Sequence, residues 1–180
     1  MRFISRTLMV AVATVGLLTA TTLASTSNTV DQKQIEKRVF KEILSLPFYG
    51  VFDSISYKVE GDTVTLLGSV RNAINRKSAE RRVERIAGVT NVVNNIEVLP
   101  VSRFDDSIRL RTLRSISRGG SLHRYFLGVN PSIRILVKSG HVTLEGFVRS
   151  KGDSNLANIL ANGVPGSFSV TNKIVVEKDL

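Results

Sequence analysis

The chain has no cysteine and no tryptophan, and only two histidines and four prolines among its 180 residues. Without cysteine there can be no disulfide, no thiolate nucleophile and no cysteine-ligated metal centre. Nor is there a cysteine to carry a lipid anchor. Two histidines, His123 and His141, are too few for a zinc site when no cysteine helps them. Ser121 lies close to His123, but no acid partner is indicated, so the pair does not suggest a triad. The phosphate-cradling pattern G-x-x-x-x-G-K-[ST] does not occur. No enzyme activity and no cofactor is therefore expected, and both histidines read as exposed side chains. Acidic residues are also scarce: 15 stand against 25 lysines and arginines, a formal net charge of +10. Such a balance favours acidic partners such as phosphate headgroups, nucleic acid or anionic glycans, and says nothing about fold. Apolar residues make up 42% of the chain, enough for a packed core.

Charge is missing from one long stretch. After Arg2 and Arg6 no charged residue appears until Asp31, and Leu8 to Leu18 is almost entirely apolar. That run falls short of the roughly 20 apolar residues that a membrane span needs. A basic start, an apolar middle and small residues after it suit a secretory signal over residues 1–24, cleaved after Ala24 with Thr22 at the small −3 position. An uncleaved anchor is the competing reading. An exported, periplasmic protein is the expectation.

Two eight-residue stretches are nearly the same. VTLLGSVR (Val64 to Arg71) and VTLEGFVR (Val142 to Arg149) lie 78 residues apart. At that offset FYGVFDSI (from Phe48) lies over FLGVNPSI (from Phe126), and GVTNVVNNIEV (from Gly88) over GSFSVTNKIVV (from Gly166). Between Leu44 and Val98, 19 of 55 positions are identical without a gap. The chain is two copies of one module, expected over residues 31–100 and 104–178, with LPVSRFDD as the join.

Within the first copy, Ile35, Val39 and Ile43 make one stripe of an amphipathic helix over Asp31 to Leu44. Ile55, Tyr57 and Val59 alternate with polar residues, and Val64, Leu66, Gly68 and Val70 alternate again after the turn signal Glu60-Gly61-Asp62, so a hairpin is predicted. Ala79, Val83 and Ile86 mark a second helix over Arg76 to Ala87. Gly88 is placed for a left-handed helix cap, and Gly166 is its counterpart. Val92, Asn94, Ile96 and Val98 form a last strand. Strand–helix–strand returns parallel and right-handed. The fold class is therefore α+β: two αββαβ modules, each a three-stranded mixed sheet with two helices on one face. Gly68 and Gly146 fall on the inward phase of their strand, where a missing Cβ would let a helix come close. Asn94 and Asn172 are polar on the apolar phase. They read as clamps that bond backbone in a nearby loop, because an unpaired buried amide is costly.

The pattern GDTVTLLGSVRN…A…GVTNVVNNIEV resembles the BON domain, named for bacterial osmotically induced and nodulation proteins. Its features are a V-x-L-x-G-x-V strand, a helix carrying an alanine, and G-V-x-x-V-x-N leading into a last strand. The first copy supplies Val64, Leu66, Gly68, Val70, Ala79, Gly88, Val89, Val92 and Asn94. The second supplies Val142, Leu144, Gly146, Val148, Ala157, Gly166, Val170 and Asn172, with Ser167 where valine is usual. The resemblance implies a tandem, non-enzymatic αββαβ protein of the cell envelope that binds phospholipid surfaces or other envelope components. Lipid-anchored dual-module relatives carry a cysteine that this chain lacks.

The copies differ in charge. Residues 31–100 carry a net +2 and residues 101–180 a net +6. In the second copy Arg103, Arg109, Arg111, Arg114, Arg118 and Arg124 precede the hairpin. If Asp105 to Arg118 is a helix, Arg111, Arg114 and Arg118 share a stripe, with Ile108, Leu113 and Ile116 across from them. Arg109, Arg111, Arg114 and Arg118, with Leu113 and Ile116, are thus the candidate lipid-binding residues for an anionic membrane surface. The competing reading is a solvated face of an ordinary helix. Gly119-Gly120 is expected to end the helix and leave a mobile loop to Arg124. The expected partner is an anionic phospholipid surface or an envelope protein, and not nucleic acid, since no aromatic-interleaved basic motif is present. A protein–protein adaptor or stress-protective protein without lipid contact is the alternative, and a binder of small polar ligands such as glycans a third.

Overall fold

A computed structural model describes residues 25–177. The expected export signal and its cleavage point lie outside the described residues. Among the described residues no helix is long and apolar enough to cross a membrane.

The first module runs α1 (Ser25–Leu44), β1 (Ser54–Glu60), β2 (Thr63–Val70), α2 (Ala73–Val83) and β3 (Asn91–Val98). Helix α1 starts six residues before Asp31. Helix α2 starts earlier than Arg76 because Asn72 caps it, its side chain accepting from the Ile74 N–H at 2.9 Å. A capping oxygen satisfies one of the free N–H groups of a first turn. The sheet order is β1-β2-β3. Strands β1 and β2 are antiparallel with Val59 opposite Val64, and β2 and β3 parallel with Val64 opposite Val92. The alternation aims Val64, Leu66 and Val70 at Ile35, Val39 and Ile43 of α1 and at Ala79 and Val83 of α2, and these residues form one core.

The second module repeats the plan with α3 (Arg103–Ser117), β4 (Ile133–Lys138), β5 (His141–Val148), α4 (Lys151–Asn162), β6 (Ser169–Asn172) and β7 (Val175–Val176). Strands β4 and β5 are antiparallel, while β6 and β7 both run parallel to β5. They are one returning strand interrupted at Lys173, whose N–H donates to Leu144 O at 2.8 Å. The chain is thus α+β with two αββαβ modules, as the periodicities imply.

Three local expectations change. Gly119-Gly120 does end α3, but no loop follows. Residues Gly120–Phe126 wind into a 3₁₀ helix that buries Leu122 and Tyr125. Gly68 and Gly146 make room for a strand, not a helix. Their φ angles are 113° and 105°, and a Cβ on either would collide with backbone of the partner strand's entry, the carbonyl oxygen of Ser54 or Ser132. Asn94 and Asn172 bond a helix, not a loop. Their Nδ2 groups donate to Arg76 O and Ser154 O, each at 3.1 Å, in the first turns of α2 and α4. Their Oδ1 atoms accept from the N–H two residues on, Ile96 at 3.2 Å and Ile174 at 3.0 Å. Each asparagine therefore ties the returning strand to the crossover helix.

The modules touch asymmetrically. The segment before β1 leans on the second module: Val51 and Phe52 pack against its core. Val51 O accepts from the Ile135 N–H at 2.8 Å, which occupies one rung of the free edge of β4. Glu97 and Lys138 form an ion pair across the join at 2.5 Å. Strand β4 is consequently buried from Ile133 to Val137, whereas β1 alternates. The matching segment before β4 is bare, with Leu127 and Val129 exposed.

Candidate functional site

Helix α3 is fixed at its start by Ser102, whose Oγ accepts from the Asp105 N–H at 3.1 Å. The Asp105 carboxylate is buried and accepts from Ser139 N at 3.0 Å and Gly140 N at 2.8 Å, so the helix start is bolted to the β4–β5 turn. The register this sets decides which residues face out. Ile108, Thr112 and Ile116 point into the second core. Arg103, Phe104, Leu110, Arg111, Arg114 and Arg118 are exposed. Beside them the turn before β6 presents Phe168, 70% exposed, with its ring 6.0 Å from that of Phe104. Arg111 donates to Pro165 O at 3.1 Å, three residues before Phe168. Gly166, with φ 90°, lies beneath Phe104 and Arg111. Its counterpart Gly88, with φ 95°, lies against Ile35 of α1.

Of the residues expected at a lipid surface, the structure keeps Arg111, Arg114 and Arg118 together on the open face. Arg109 does not belong there. It is 1% exposed, with Nη1 on the Asp106 carboxylate at 2.6 Å and Nη2 donating to Val137 O at 2.5 Å. It lies two residues from Arg111, which on a helix is the opposite side. Ile116 is fully buried, and Leu113 is half-buried against the core. The apolar partners of the arginines are instead Phe104, Leu110 and Phe168. Phe104 and Leu110 follow from the helical period once the buried stripe is fixed. Phe168 comes from a turn and had no periodic signal.

A second polar cluster sits at the other end of the module. Asp153, in the first turn of α4, accepts from Ser121 Oγ at 2.6 Å, Tyr125 OH at 2.8 Å and Ser150 Oγ at 2.9 Å, and pairs with Arg124 at 3.6 Å. The Ser121 hydrogen bond, with those of Tyr125 and Ser150, holds its carboxyl below the usual aspartate range. A serine that donates to a depressed carboxylate is not an activated nucleophile, because the acceptor is a weak base and no imidazole stands between them. His123 is exposed, and His141 Nδ1 lies 2.7 Å from Ser169 Oγ. Among the described residues no three His, Cys, Asp or Glu side chains are grouped to hold a metal.

Two solved structures of CdsD, a structural protein of the type III secretion system of Chlamydia trachomatis, are similar at low level. One is its C-terminal domain, 16% identical with a TM-score of 0.32 over 83% of this chain and 67% of that one. The other is 12% identical with a TM-score of 0.29 over 81% and 95%. No curated protein sequence matches the chain significantly. The BON domain family model matches residues 31–100 and 123–178. The second segment begins inside the 3₁₀ helix and does not include α3. With both modules matched, the chain belongs to the BON domain family, whose members are typically non-catalytic proteins of the cell envelope.

Proposed function

We propose that this is an exported, non-enzymatic envelope protein that binds anionic phospholipid surfaces through the open face of α3 in its second module. The observation that carries the reading is the grouping of three exposed arginines that pair with no carboxylate among the described residues, Arg111, Arg114 and Arg118, with exposed Phe104, Leu110 and Phe168 on one face. Arginines attract headgroups, and aromatic rings can enter the headgroup boundary beside them. Each basic side chain at such a surface contributes about 1 kcal/mol. Three together therefore matter where one does not.

Vesicle co-sedimentation tests the reading. The protein binds phosphatidylglycerol-containing vesicles and leaves neutral phosphatidylcholine vesicles in solution. Binding fades with salt, since exposed charges are screened over about 8 Å at physiological ionic strength. Replacing Arg111, Arg114 and Arg118 by glutamate removes at least about 3 kcal/mol, more than a hundredfold in partitioning, with an unchanged circular dichroism spectrum. Phe104→Ser with Phe168→Ser removes the part of the binding that persists at high salt. Equal retention by neutral and anionic vesicles would sink the lipid reading and favour a protein partner.

A further inference from the structure

The net +2 of residues 31–100 conceals a division of charge. Helices α1 and α2 together hold eight lysines and arginines against four acids, a net +4, so the rest of those residues carry a net −2. The buried stripes, Ile35, Val39 and Ile43 on α1 with Ala79 and Val83 on α2, face the sheet. On the far side α1 presents Lys33, Lys37 and Lys41, and α2 presents Lys77 and Arg81, all of them exposed. Side chains four residues apart share one face of a helix, about 6 Å apart along its axis. The two helices are neighbours, joined by the Arg82–Glu42 ion pair at 3.2 Å, so these cations form two adjacent rows. The acids of the layer are engaged elsewhere. Glu42 is taken by Arg82, Glu80 accepts from Asn94 Nδ2 at 3.1 Å, and half-buried Glu36 accepts from Gln32 Nε2 at 3.5 Å. Glu84, in the turn after α2, is exposed and leaves the face strongly basic. Among the described residues none of the five outer cations has an ion-pair partner. Exposed apolar groups are few here. Phe40 turns into the cleft between the modules, and Ile74 sits at the start of α2. The face therefore lacks the rings that accompany the arginines of α3.

We propose that the outer face of α1 and α2 docks a linear anionic polysaccharide, whose charges lie along the two rows. A row of like charges attracts a chain of many opposite charges, whereas a small anion would meet only one or two of them. The α1 row is entirely lysine: compact, strongly hydrated point charges without the planar fork that suits phosphate and nucleic acid. With no ring beside the rows, nothing is placed to enter a bilayer or to stack on a base. A hydrated sugar chain needs neither. The face uses no residue of α3, so it stands or falls separately from the membrane-surface reading.

Fluorescence anisotropy of labelled polygalacturonate with the full chain tests the proposal. The polymer binds, neutral dextran does not compete, and the affinity falls as salt rises. Two variants of equal charge locate the site. Lys33→Gln with Lys37→Gln and Lys41→Gln weakens polygalacturonate by about tenfold or more, because the row itself is removed. Glutamine is a good helix former, so its circular dichroism spectrum and thermal midpoint stay those of the parent. Arg111→Gln with Arg114→Gln and Arg118→Gln removes the same three charges from α3, loses anionic vesicles and keeps the polymer. The lysine variant does the reverse, keeping vesicles. Absence of polygalacturonate binding, or equal loss in the two variants, overturns the polysaccharide face and leaves the vesicle result untouched. Tighter binding of double-stranded DNA than of the polymer at equal charge also overturns it, in favour of nucleic acid, and loss of vesicles by the lysine variant does so in favour of lipid.

Discussion

At the scale of single residues, the two copies solve one problem with different atoms. The chain must turn from the middle strand into the crossover helix, and the N–H after that strand needs an acceptor. In the first module Arg71 N donates to Asp53 Oδ1 at 2.6 Å. In the second, proline stands at 131 where Asp53 would be, and Arg149 N donates to Tyr125 OH at 2.9 Å, with Tyr125 held in turn by Asp153. The carboxylates end in opposite states. Burial raises Asp53 above its usual value, while donated hydrogen bonds lower Asp153. A lowered folded-state value contributes stability above the unfolded value, near pH 3.8, that is lost as pH falls through the folded one. A raised value does the reverse: the folded state holds the proton more tightly, so stability declines as pH rises from the unfolded value through the folded one. Urea midpoints measured from pH 3 to pH 7 should therefore give Asp153→Asn a shallower acid limb than the parent and Asp53→Asn a steeper one. None of this was visible in sequence, because the two acids do not align with each other and look like ordinary polar loop residues.

At the scale of elements, periodicity carried most of the reading. The strands and helices of both copies fall where apolar spacing puts them, and the repeat shows that the spacing is no accident. Element edges moved where a cap, such as Asn72, outweighs the apolar stripe. Helix α3 shows the limit most plainly. Arg111, Arg114 and Arg118 were legible as a stripe, but Arg109 is indistinguishable from them in sequence until Asp106 and Val137 O are seen to hold it inside. The Gly119-Gly120 pair likewise reads as a break, since nothing in the sequence reports that Leu122 and Tyr125 will be buried by a 3₁₀ turn. The strand glycines carry the sharpest element-level prediction. In β5, Gly146 combines φ 105° with a Cβ direction blocked by the Ser132 carbonyl. Gly146→Ala must strain the backbone or part β5 from β4, at a cost of about 1–3 kcal/mol. Urea unfolding should record that loss, and Gly152→Ala, at a helical position where a Cβ would meet only the Ser150 hydroxyl at 3.7 Å, should not show it.

At the scale of the whole molecule, the two modules meet through Val51 and Phe52 on the second core, the Val51–Ile135 hydrogen bond, Arg134 on Gly50 and Tyr49, and the ion pairs Glu97–Lys138 and Arg71–Asp106. Between them lies a short join in which Val101 is 99% exposed. Interfaces of this kind within a chain behave like transient ones. Arg134→Ala should therefore speed proteolytic cutting near Val101 several-fold while each half keeps its own secondary structure, a result that gel analysis and circular dichroism would show together. The repeat placed a join at LPVSRFDD, of which Arg103 to Asp106 belong to α3; the leaning of one copy on the other was not legible, because Val51 and Val129 are the same letter in the same repeat position and only one of them has a partner.

That one bond between Val51 and Ile135 has a further consequence for what happens after such a cut. A second half released on its own would bare the outer rung of β4 as an open socket for any extended peptide, including another copy of itself. Its companion half acts as a built-in stopper against self-stacking, so severing the pair would yield a sticky fragment instead of two well-behaved ones.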